Sequence, residues 1–184
     1  MEKNQSVVVD YNPQWPEQFL EVKSKIYPAV KDLIMAFEHV GSTSVPGLAA
    51  KPILDIDIIF DNPSLLPTLI LRLEGIGYIY EGDRGIAGRE SFRAPVGSIP
   101  HHLYACRAGS LSLRNHIILR NHLLNNPEDR EKYGDLKKKI APLYETSVDD
   151  YVEAKTGFIL DILKQYSLTS AELSSIGDAN STKR

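Results

Sequence analysis

One short segment, residues 53 to 60, places two negative charges inside a block of β-branched and other apolar residues. The block reads Ile-Leu-Asp-Ile-Asp-Ile-Ile-Phe and has the length of a β-strand. Because side chains alternate between the two faces of a strand, Asp55 and Asp57 point to the same face. The other face then carries the apolar residues Leu54, Ile56, Ile58 and Phe60. The segment predicts a strand with a core face and a carboxylate face.

The two carboxylates on that face make the strand a candidate metal site. Same-face neighbours on a strand are about 6.6 Å apart, and two unbalanced anions at that distance in a partly buried strand favour protonation. A bound divalent cation removes the conflict, and hard oxygen ligands suit magnesium. The alternative is an exposed sheet face on which Asp55 and Asp57 are simply solvated.

Length, composition and charge restrict the class of protein. The chain has 184 residues, of which 42% are hydrophobic and 24% charged, as expected for a soluble globular protein. We expect one domain over residues 1–173 and a disordered tail over 174–184. The net charge of −3 makes nucleic acid an improbable partner and leaves the oligomeric state open. Without a long apolar run, no membrane segment is predicted and a cytoplasmic location is expected.

The wider pattern predicts an α/β (α+β) fold, with a mixed sheet of three to five strands packed with helices. A helix with apolar spacing from Phe19 to Phe37, kinked or split at Pro28, is expected near the start of the chain. Further strands are predicted at 78–80, 89–94 and 101–107, and a further helix at 65–73. A C-terminal helical part, about 111–166, is divided into helices over 111–125, 128–145 and 148–166.

A small-residue turn precedes the strand. Gly41 and Ser42 follow an apolar stretch and are separated from Asp55 by twelve residues. Glycine permits close backbone approach, and successive loop amides with a serine hydroxyl can hold phosphate oxygens. An apolar-Gly-Ser turn, about a dozen residues, then Asp-apolar-Asp on a strand resembles the signature of the DNA polymerase beta-like nucleotidyltransferase superfamily.

The fuller string from His39 to Ile56 resembles the hallmark of one branch, the GrpB-like family of predicted nucleotidyltransferases. The opening Tyr-x-x-x-Trp-x-x-x-Phe motif at 11–19 and the closing Tyr-x-x-x-Lys-x-x-Phe-Ile at 151–159 extend the likeness over nearly the whole chain. Domains of this family also occur fused to dephospho-CoA kinases. The resemblance implies that Asp55 and Asp57 are catalytic metal ligands for Mg²⁺ or Mn²⁺, and that Gly41 and Ser42 hold a triphosphate. It also implies transfer of a nucleoside monophosphate from a nucleoside triphosphate to an unidentified acceptor.

The superfamily's third carboxylate has no counterpart on the expected neighbouring strand, His101 to Cys106, which contains no acid. His102 resembles the family's substitute and is predicted as a metal ligand, while Tyr104 stands where many relatives have a second histidine. Imidazole favours softer metals than magnesium, so manganese or a single-metal site fits as well. Alternatively, His102 is a hydrogen-bonded interior histidine. His101, His116 and His122 are weaker candidates as ligands.

Three basic residues are candidate phosphate contacts. Arg120 and Lys155 fall within apolar arcs of predicted helices, and Lys51 lies close to the proposed site. A buried cation needs an anionic partner, either a ligand phosphate or a protein carboxylate. Structural salt bridges or snorkelling side chains therefore remain alternatives. Two functions stay open: an enzyme that transfers a nucleotidyl group, and a catalytically silent nucleotide-binding or protein-interaction module on the same scaffold.

Overall fold

The computed structural model describes residues 7–144 and 147–181. Within them, five β-strands and six α-helices form the mixed α/β fold that the sequence predicts. The strands are β1 (Ala36–Val40), β2 (Leu54–Phe60), β3 (Ile79–Tyr80), β4 (Arg89–Arg93) and β5 (His101–Arg107). The helices are α1 (Trp15–Val30), α2 (Leu66–Gly75), α3 (Leu111–Asn125), α4 (Pro127–Ile140), α5 (Val148–Leu163) and α6 (Ser170–Ala179).

The five strands form one mixed sheet in the order β1-β2-β5-β4-β3. Strands β2 and β5 pair in parallel, and the other neighbours pair antiparallel. The strand with the two aspartates therefore lies inside the sheet, between β1 and β5. Its register places Asp55 opposite Val40 of β1 and His102 of β5.

The apolar face of β2 is the centre of the main core, as predicted. Its alternate residues are at most 3% exposed, and they pack in one cluster with α1 and α2. That cluster includes Leu54, Ile56, Ile58, Phe60, Trp15, Ile26, Leu69 and Leu73. The carboxylate face of β2 is directed toward α3, whose His116 contacts Asp57. A second apolar cluster joins α3, α4, α5 and α6, so this helical layer is held together independently of the sheet core.

The first helix is shorter than its apolar spacing predicts. Helix α1 ends at Val30 and tolerates Pro28 in its last turn, whereas Phe37 lies on β1. Phe37 is buried because it is paired with Ile58 in the sheet, not because a helix continues. The C-terminal helices are also shorter: α4 gives way to a 3₁₀ turn at Ala141–Tyr144, and α5 ends at Leu163.

The region predicted as a disordered tail contains most of α6, which corrects that expectation up to Ala179. A reciprocal cap between Thr169 and Glu172 begins the helix, and Ile176 is 5% exposed in the second apolar cluster. Helix α6 packs few apolar residues against the core, so the polar composition of this segment did not predict a helix. Residues 182–184 lie outside the described residues, and the single-domain boundary stays a prediction. Every helix of the described ranges is too short or too polar to span a bilayer.

Candidate functional site

The turn after β1 lies directly over Asp55. Gly41 has φ 68° and ψ −172°, a combination that is essentially restricted to glycine. A Cβ atom at this position would lie 2.2 Å from Asp55 Oδ2, so no larger residue fits without displacing the carboxylate. The Gly-Ser turn and Asp55, which the sequence analysis assigns to one site, therefore lie in direct contact.

Several contacts fix the conformation of this turn. The 3₁₀ turn Ser42–Ser44 follows Gly41, and Ser44 Oγ donates to the Gly41 carbonyl at 2.6 Å. His39 stacks on Phe19 with ring centroids 4.8 Å apart and is hydrogen-bonded to buried Thr43 at 3.0 Å. Burial lowers the pKa of His39 to about 4, so the ring is neutral at physiological pH. These contacts within the protein hold the turn in place over Asp55.

Each aspartate of β2 accepts a hydrogen bond from a different histidine. His102 Nδ1 donates to Asp55 Oδ1 at 3.0 Å, and His116 Nδ1 donates to Asp57 Oδ2 at 2.8 Å. Burial opposes ionisation of Asp55, but the hydrogen bond from His102 and the nearby cationic groups outweigh it and lower the carboxyl pKa. The bond to Asp55 correspondingly raises the pKa of His102. For His116, burial opposes the charged form, but the charge of Asp57, the hydrogen bond to it and the charge of Asp55 together outweigh burial and raise the imidazole pKa.

Asp57 carries the observation that best fits a bound cation. Its side chain is fully buried, and Oδ1 has no hydrogen-bond partner among the described residues. A buried carboxylate oxygen is strongly unfavourable unless a donor or a cation satisfies it. Ligand atoms of Asp57, His116 and Cys106 lie within 4.8 Å of one another. Asp57 and His116 therefore offer donors to a divalent ion, with His116 rather than His102 beside Asp57, whereas the Cys106 thiol, whose pKa is raised by burial, is a poor ligand for Mg²⁺.

The predicted metal set of Asp55, Asp57 and His102 is thus brought together in part. His102 contacts Asp55, and its side chain is 55% exposed at the cavity, so it is not an interior histidine. His116 is the residue that the sequence analysis ranked too low. Its signal was the helical spacing that places it three residues after Leu113 and four before Arg120 on α3. His101 and His122 are buried and hydrogen-bonded to Tyr78 and to Tyr166.

No third carboxylate reaches Asp57 from β5. Its register partner there is Tyr104, which lies under the guanidinium of Arg89 at 4.4 Å. On the opposite neighbour, β1, the register partner of Asp57 is Glu38. Arg120 donates to Glu38 Oε2 at 2.7 Å and to the His39 carbonyl at 2.9 Å. Of the alternatives for Arg120, the structural salt bridge is present, and it fixes the end of β1.

Three lysines surround a cavity of about 240 Å³ beside Ser42 and Asp55. We call Lys51, Lys137 and Lys155 the lysine cradle. Lys137 is 2% exposed, and its Nζ donates to Ser42 Oγ at 2.8 Å and to the Ala49 carbonyl. The ammonium groups of Lys51 and Lys155 lie 4.1 and 5.1 Å from the centroid of the Tyr151 ring.

The lysine cradle is short of anions. None of its members forms a salt bridge within the part of the chain that the structure describes. Burial lowers the pKa of all three amines, and the charge of Lys155 contributes to lowering that of Lys137 to about 6. A polyanion in the cavity would offset both effects. The arrangement is therefore complementary to phosphate.

Sequence reasoning missed Lys137 because it begins a run of three lysines, and such runs are usually solvated. The available signal was helical spacing. Tyr133, Lys137 and Ile140 share one face of α4 and are all buried, whereas Lys138 and Lys139 are exposed. One lysine of the run is therefore directed into the protein by the amphipathic period of the helix.

Comparisons with known proteins agree with the fold. The model of the family described as GrpB protein matches residues 5–165. UPF0157 protein YqkA of Bacillus subtilis is 31% identical over 85% of this chain, which spans 46% of that protein's length. A dephospho-CoA kinase of Mycolicibacterium paratuberculosis matches only 39% of the chain, so the predicted kinase association is supported in part.

Two solved structures share the architecture. The crystal structure of conserved protein GrpB from Enterococcus faecalis has a TM-score of 0.78 at 35% identity, covering 92% of this chain and 98% of that one. The Cid1 poly(U) polymerase, as an H336N mutant bound to MgATP, has a TM-score of 0.61 at 10% identity, covering 90% and 54%. The second likeness establishes a nucleotidyltransferase-like fold alone. Together with the family match over most of its length, these similarities show that the chain belongs to the GrpB family.

Proposed function

We propose that this protein is a metal-dependent nucleotidyltransferase that moves a nucleoside monophosphate from a nucleoside triphosphate to the hydroxyl of an acceptor. The observation that carries the proposal is the position of Asp55 under Gly41, at the edge of the cavity that holds the lysine cradle, with the buried Asp57 two residues further on the same face of β2. The Cid1 structure, a protein of the same fold, was determined with MgATP bound. The proposal places the protein in the cytoplasm, where nucleoside triphosphates are available.

In this proposal the triphosphate occupies the cavity of the lysine cradle. Ser42 and the cradle bind its phosphate oxygens, and Lys137 links the two because it already donates to Ser42 Oγ. Asp55 and Asp57 would hold Mg²⁺ or Mn²⁺, which would neutralise charge on the phosphates. His102 and His116 orient the two carboxylates. Binding thus aligns the α-phosphate with the carboxylate face of β2.

The transfer is a substitution at the α-phosphorus. The acceptor oxygen forms a new bond to phosphorus, and its proton is released to solvent. The bond from the α-phosphorus to the bridging oxygen breaks, and that oxygen leaves with the electron pair as part of pyrophosphate. The positive side chains around the cavity stabilise the charge that develops on the leaving group.

Calorimetry with nucleoside triphosphates in the presence of Mg²⁺ or Mn²⁺, followed by a pyrophosphate assay, tests the proposal. We expect metal-dependent binding, and pyrophosphate release once a suitable acceptor is supplied. Absence of triphosphate binding with either metal would contradict the proposal.

A second candidate is a catalytically silent nucleotide-binding module. The observation that favours it is the occupation of the position opposite Asp57 by Tyr104 in place of a carboxylate. The module predicts triphosphate binding without pyrophosphate release across a broad set of hydroxylated acceptors. The enzyme predicts release with at least one of them.

Removing the histidine that holds Asp55 is expected to weaken the site. His102→Ala should reduce Mn²⁺-dependent triphosphate affinity about tenfold, since partners that orient a ligand typically contribute that much to metal binding. His122→Ala is the control, because its ring is bonded to Tyr166 and Asp129 away from the cavity. Both affinities are measured at a temperature where the variants are folded. Equal losses would assign His102 a structural role.

Triphosphate binding at pH 8 should take up a proton. With a pKa of about 6, Lys137 is mostly unprotonated in the free protein at this pH, and a bound polyanion favours its charged form. The observed binding enthalpy should therefore rise with the ionisation enthalpy of the buffer, with a slope of about one proton. Lys137→Met should remove most of this slope, and Lys139→Met, on the exposed side of the same helix, should preserve it. A zero or negative slope in the native protein would exclude this role for Lys137.

A further inference from the structure

Four buried polar side-chain atoms lack a hydrogen-bond partner among the described residues, and all four adjoin the carboxylate face of the sheet. They are Asp57 Oδ1, Arg89 Nε, Ser91 Oγ and Asn115 Oδ1. An unsatisfied buried polar atom destabilises a fold, and native structures contain few of them. The clustering of such atoms in one place marks a surface that is complementary to a polar ligand.

Three of these atoms belong to residues that line two cavities next to the cavity of the lysine cradle, which shares His102 and Tyr104 with one of them. A cavity of about 560 Å³ lies between the chain preceding β4, the start of α3, and α6, and it is lined by Arg89, Asn115 and His116. An adjoining cavity of about 690 Å³ shares Arg89 and is also lined by Ser91 and Tyr104. We call these two connected spaces the arginine chamber.

The arginine chamber meets the proposed catalytic site at His116. This residue lines the chamber and donates to Asp57. Together with Asn115, it also lines a smaller cavity of about 170 Å³ that includes Gly41 and Asp55. A molecule in the chamber therefore lies next to a cavity that reaches Asp55, and Ser42 and Lys155 line that cavity as well.

Arg89 is a cation of the chamber that forms no salt bridge among the described residues. Its guanidinium lies on the Tyr104 ring, and its Nε atom is buried with no hydrogen-bond partner in the part of the chain that the structure describes. Ser91, which is 3% exposed, adds a hydroxyl two residues along the same strand.

Arg84 and Arg93 also line the chamber and pair with Glu81. The carboxylates of Asp149 and Asp178 at its wall are exposed to solvent. A half-buried arginine with an unsatisfied buried donor has a stronger demand for a partner than an exposed aspartate.

We propose that the arginine chamber binds the acceptor of the nucleotidyl transfer, and that this acceptor is a small hydroxylated anion. The inference rests on the proposed function. The carboxylate or phosphate of the ligand is held by Arg89 and Ser91, and a hydroxyl donates to Asn115 Oδ1. A second hydroxyl is directed past His116 to the α-phosphate, where its oxygen bonds to phosphorus, its proton goes to solvent, and pyrophosphate leaves.

The probes for this proposal are glycerate and glycerol 3-phosphate, with glycerol as the uncharged comparison. Each is titrated calorimetrically into the protein with and without a non-hydrolysable triphosphate analogue and Mn²⁺, which fill the lysine cradle. We expect at least one of the two anions to bind when the analogue is present, and glycerol to bind far more weakly. Failure of both anions to bind overturns the proposal.

Two variants test the location. Arg89→Met should weaken anion binding about tenfold or more and leave the affinity for the analogue unchanged, because a charge-assisted hydrogen bond is lost only in the chamber. Ser174→Trp, on an exposed position of α6 that lines the chamber, should block it sterically without touching Arg89. Arg107→Met, an exposed arginine at the end of β5, is the matched control. Anion binding that survives both chamber variants overturns the proposal.

The same titrations separate this inference from the proposed function. If the analogue binds but neither anion does, the chamber proposal fails and the nucleotide site stands. If the analogue does not bind, the proposed function fails. Anion binding that depends on Arg89 in the analogue-free protein then still supports the chamber as an anion site, and its absence overturns the chamber as well.

Discussion

Replacing Asp57 by asparagine is expected to abolish metal-dependent triphosphate binding while leaving the protein folded. The carboxylate is fully buried, and one of its oxygens has no partner in the described structure, so a cation is the group that would balance it. The neutral amide removes the charge that attracts the metal. We expect affinity to fall at least about a hundredfold, since loss of a charged contact of roughly 3 kcal/mol corresponds to that factor.

The thermal midpoint of unfolding should not fall together with the triphosphate affinity. A buried anion without a bound cation is unfavourable, so the thermal midpoint of metal-free Asp57→Asn should equal or exceed that of the native protein. Asp61→Asn is the matched control, because Asp61 is exposed immediately after β2. Calorimetry and thermal unfolding on the three proteins provide both readouts. Unchanged metal-dependent affinity in a folded Asp57→Asn protein would show that the metal is bound elsewhere.

Replacing Gly41 by alanine is expected to destroy the site by a steric effect. The new Cβ would lie 2.2 Å from Asp55 Oδ2, and the glycine conformation itself disfavours any side chain. The backbone strain alone is about 1–3 kcal/mol. To relieve the clash, either the turn or the carboxylate must move, and both are parts of the proposed triphosphate site. We expect loss of triphosphate binding together with a lower free energy of unfolding.

The Gly109→Ala variant distinguishes the effect of backbone strain from the effect of the steric clash with Asp55. Gly109 also has a positive φ, 75°, but a Cβ there would meet no atom within 4 Å. This variant should show a loss of stability from strain and retain triphosphate binding. Both variants are compared by denaturant unfolding and by calorimetry. Equal binding by Gly41→Ala and Gly109→Ala would contradict the assignment of the turn as the triphosphate contact.

Much of the fold could be predicted because its elements are locally encoded. The alternation of side chains along the strand predicted β2 and its two faces. Apolar periodicity predicted α3 with the same bounds as those observed. The errors arose where local pattern and tertiary context differ. Phe37 fits a helical arc, but its burial is determined by pairing with Ile58. Helix α6 is polar in composition and is stabilised by its cap and by packing of Ile176.

The residues of the candidate site that are close in sequence could be predicted, whereas the residues that distant helices contribute could not. Gly41, Ser42 and Asp55 are close in sequence, so a motif can relate them. Lys137 contacts Ser42 from α4 and His116 contacts Asp57 from α3, and their positions depend on how these helices pack over the sheet. Arg120 illustrates the converse, because periodicity correctly placed it inward but could not identify Glu38 as its partner.

The most direct test of the central claim is a crystal of the protein soaked with Mn²⁺ and a non-hydrolysable triphosphate analogue, with diffraction data collected at the manganese absorption edge. We expect an anomalous peak in contact with the carboxylates of Asp55 and Asp57, with the phosphates between the Gly41–Ser42 turn and Lys137. A fully bound analogue whose phosphates and manganese lie away from both aspartates would contradict it.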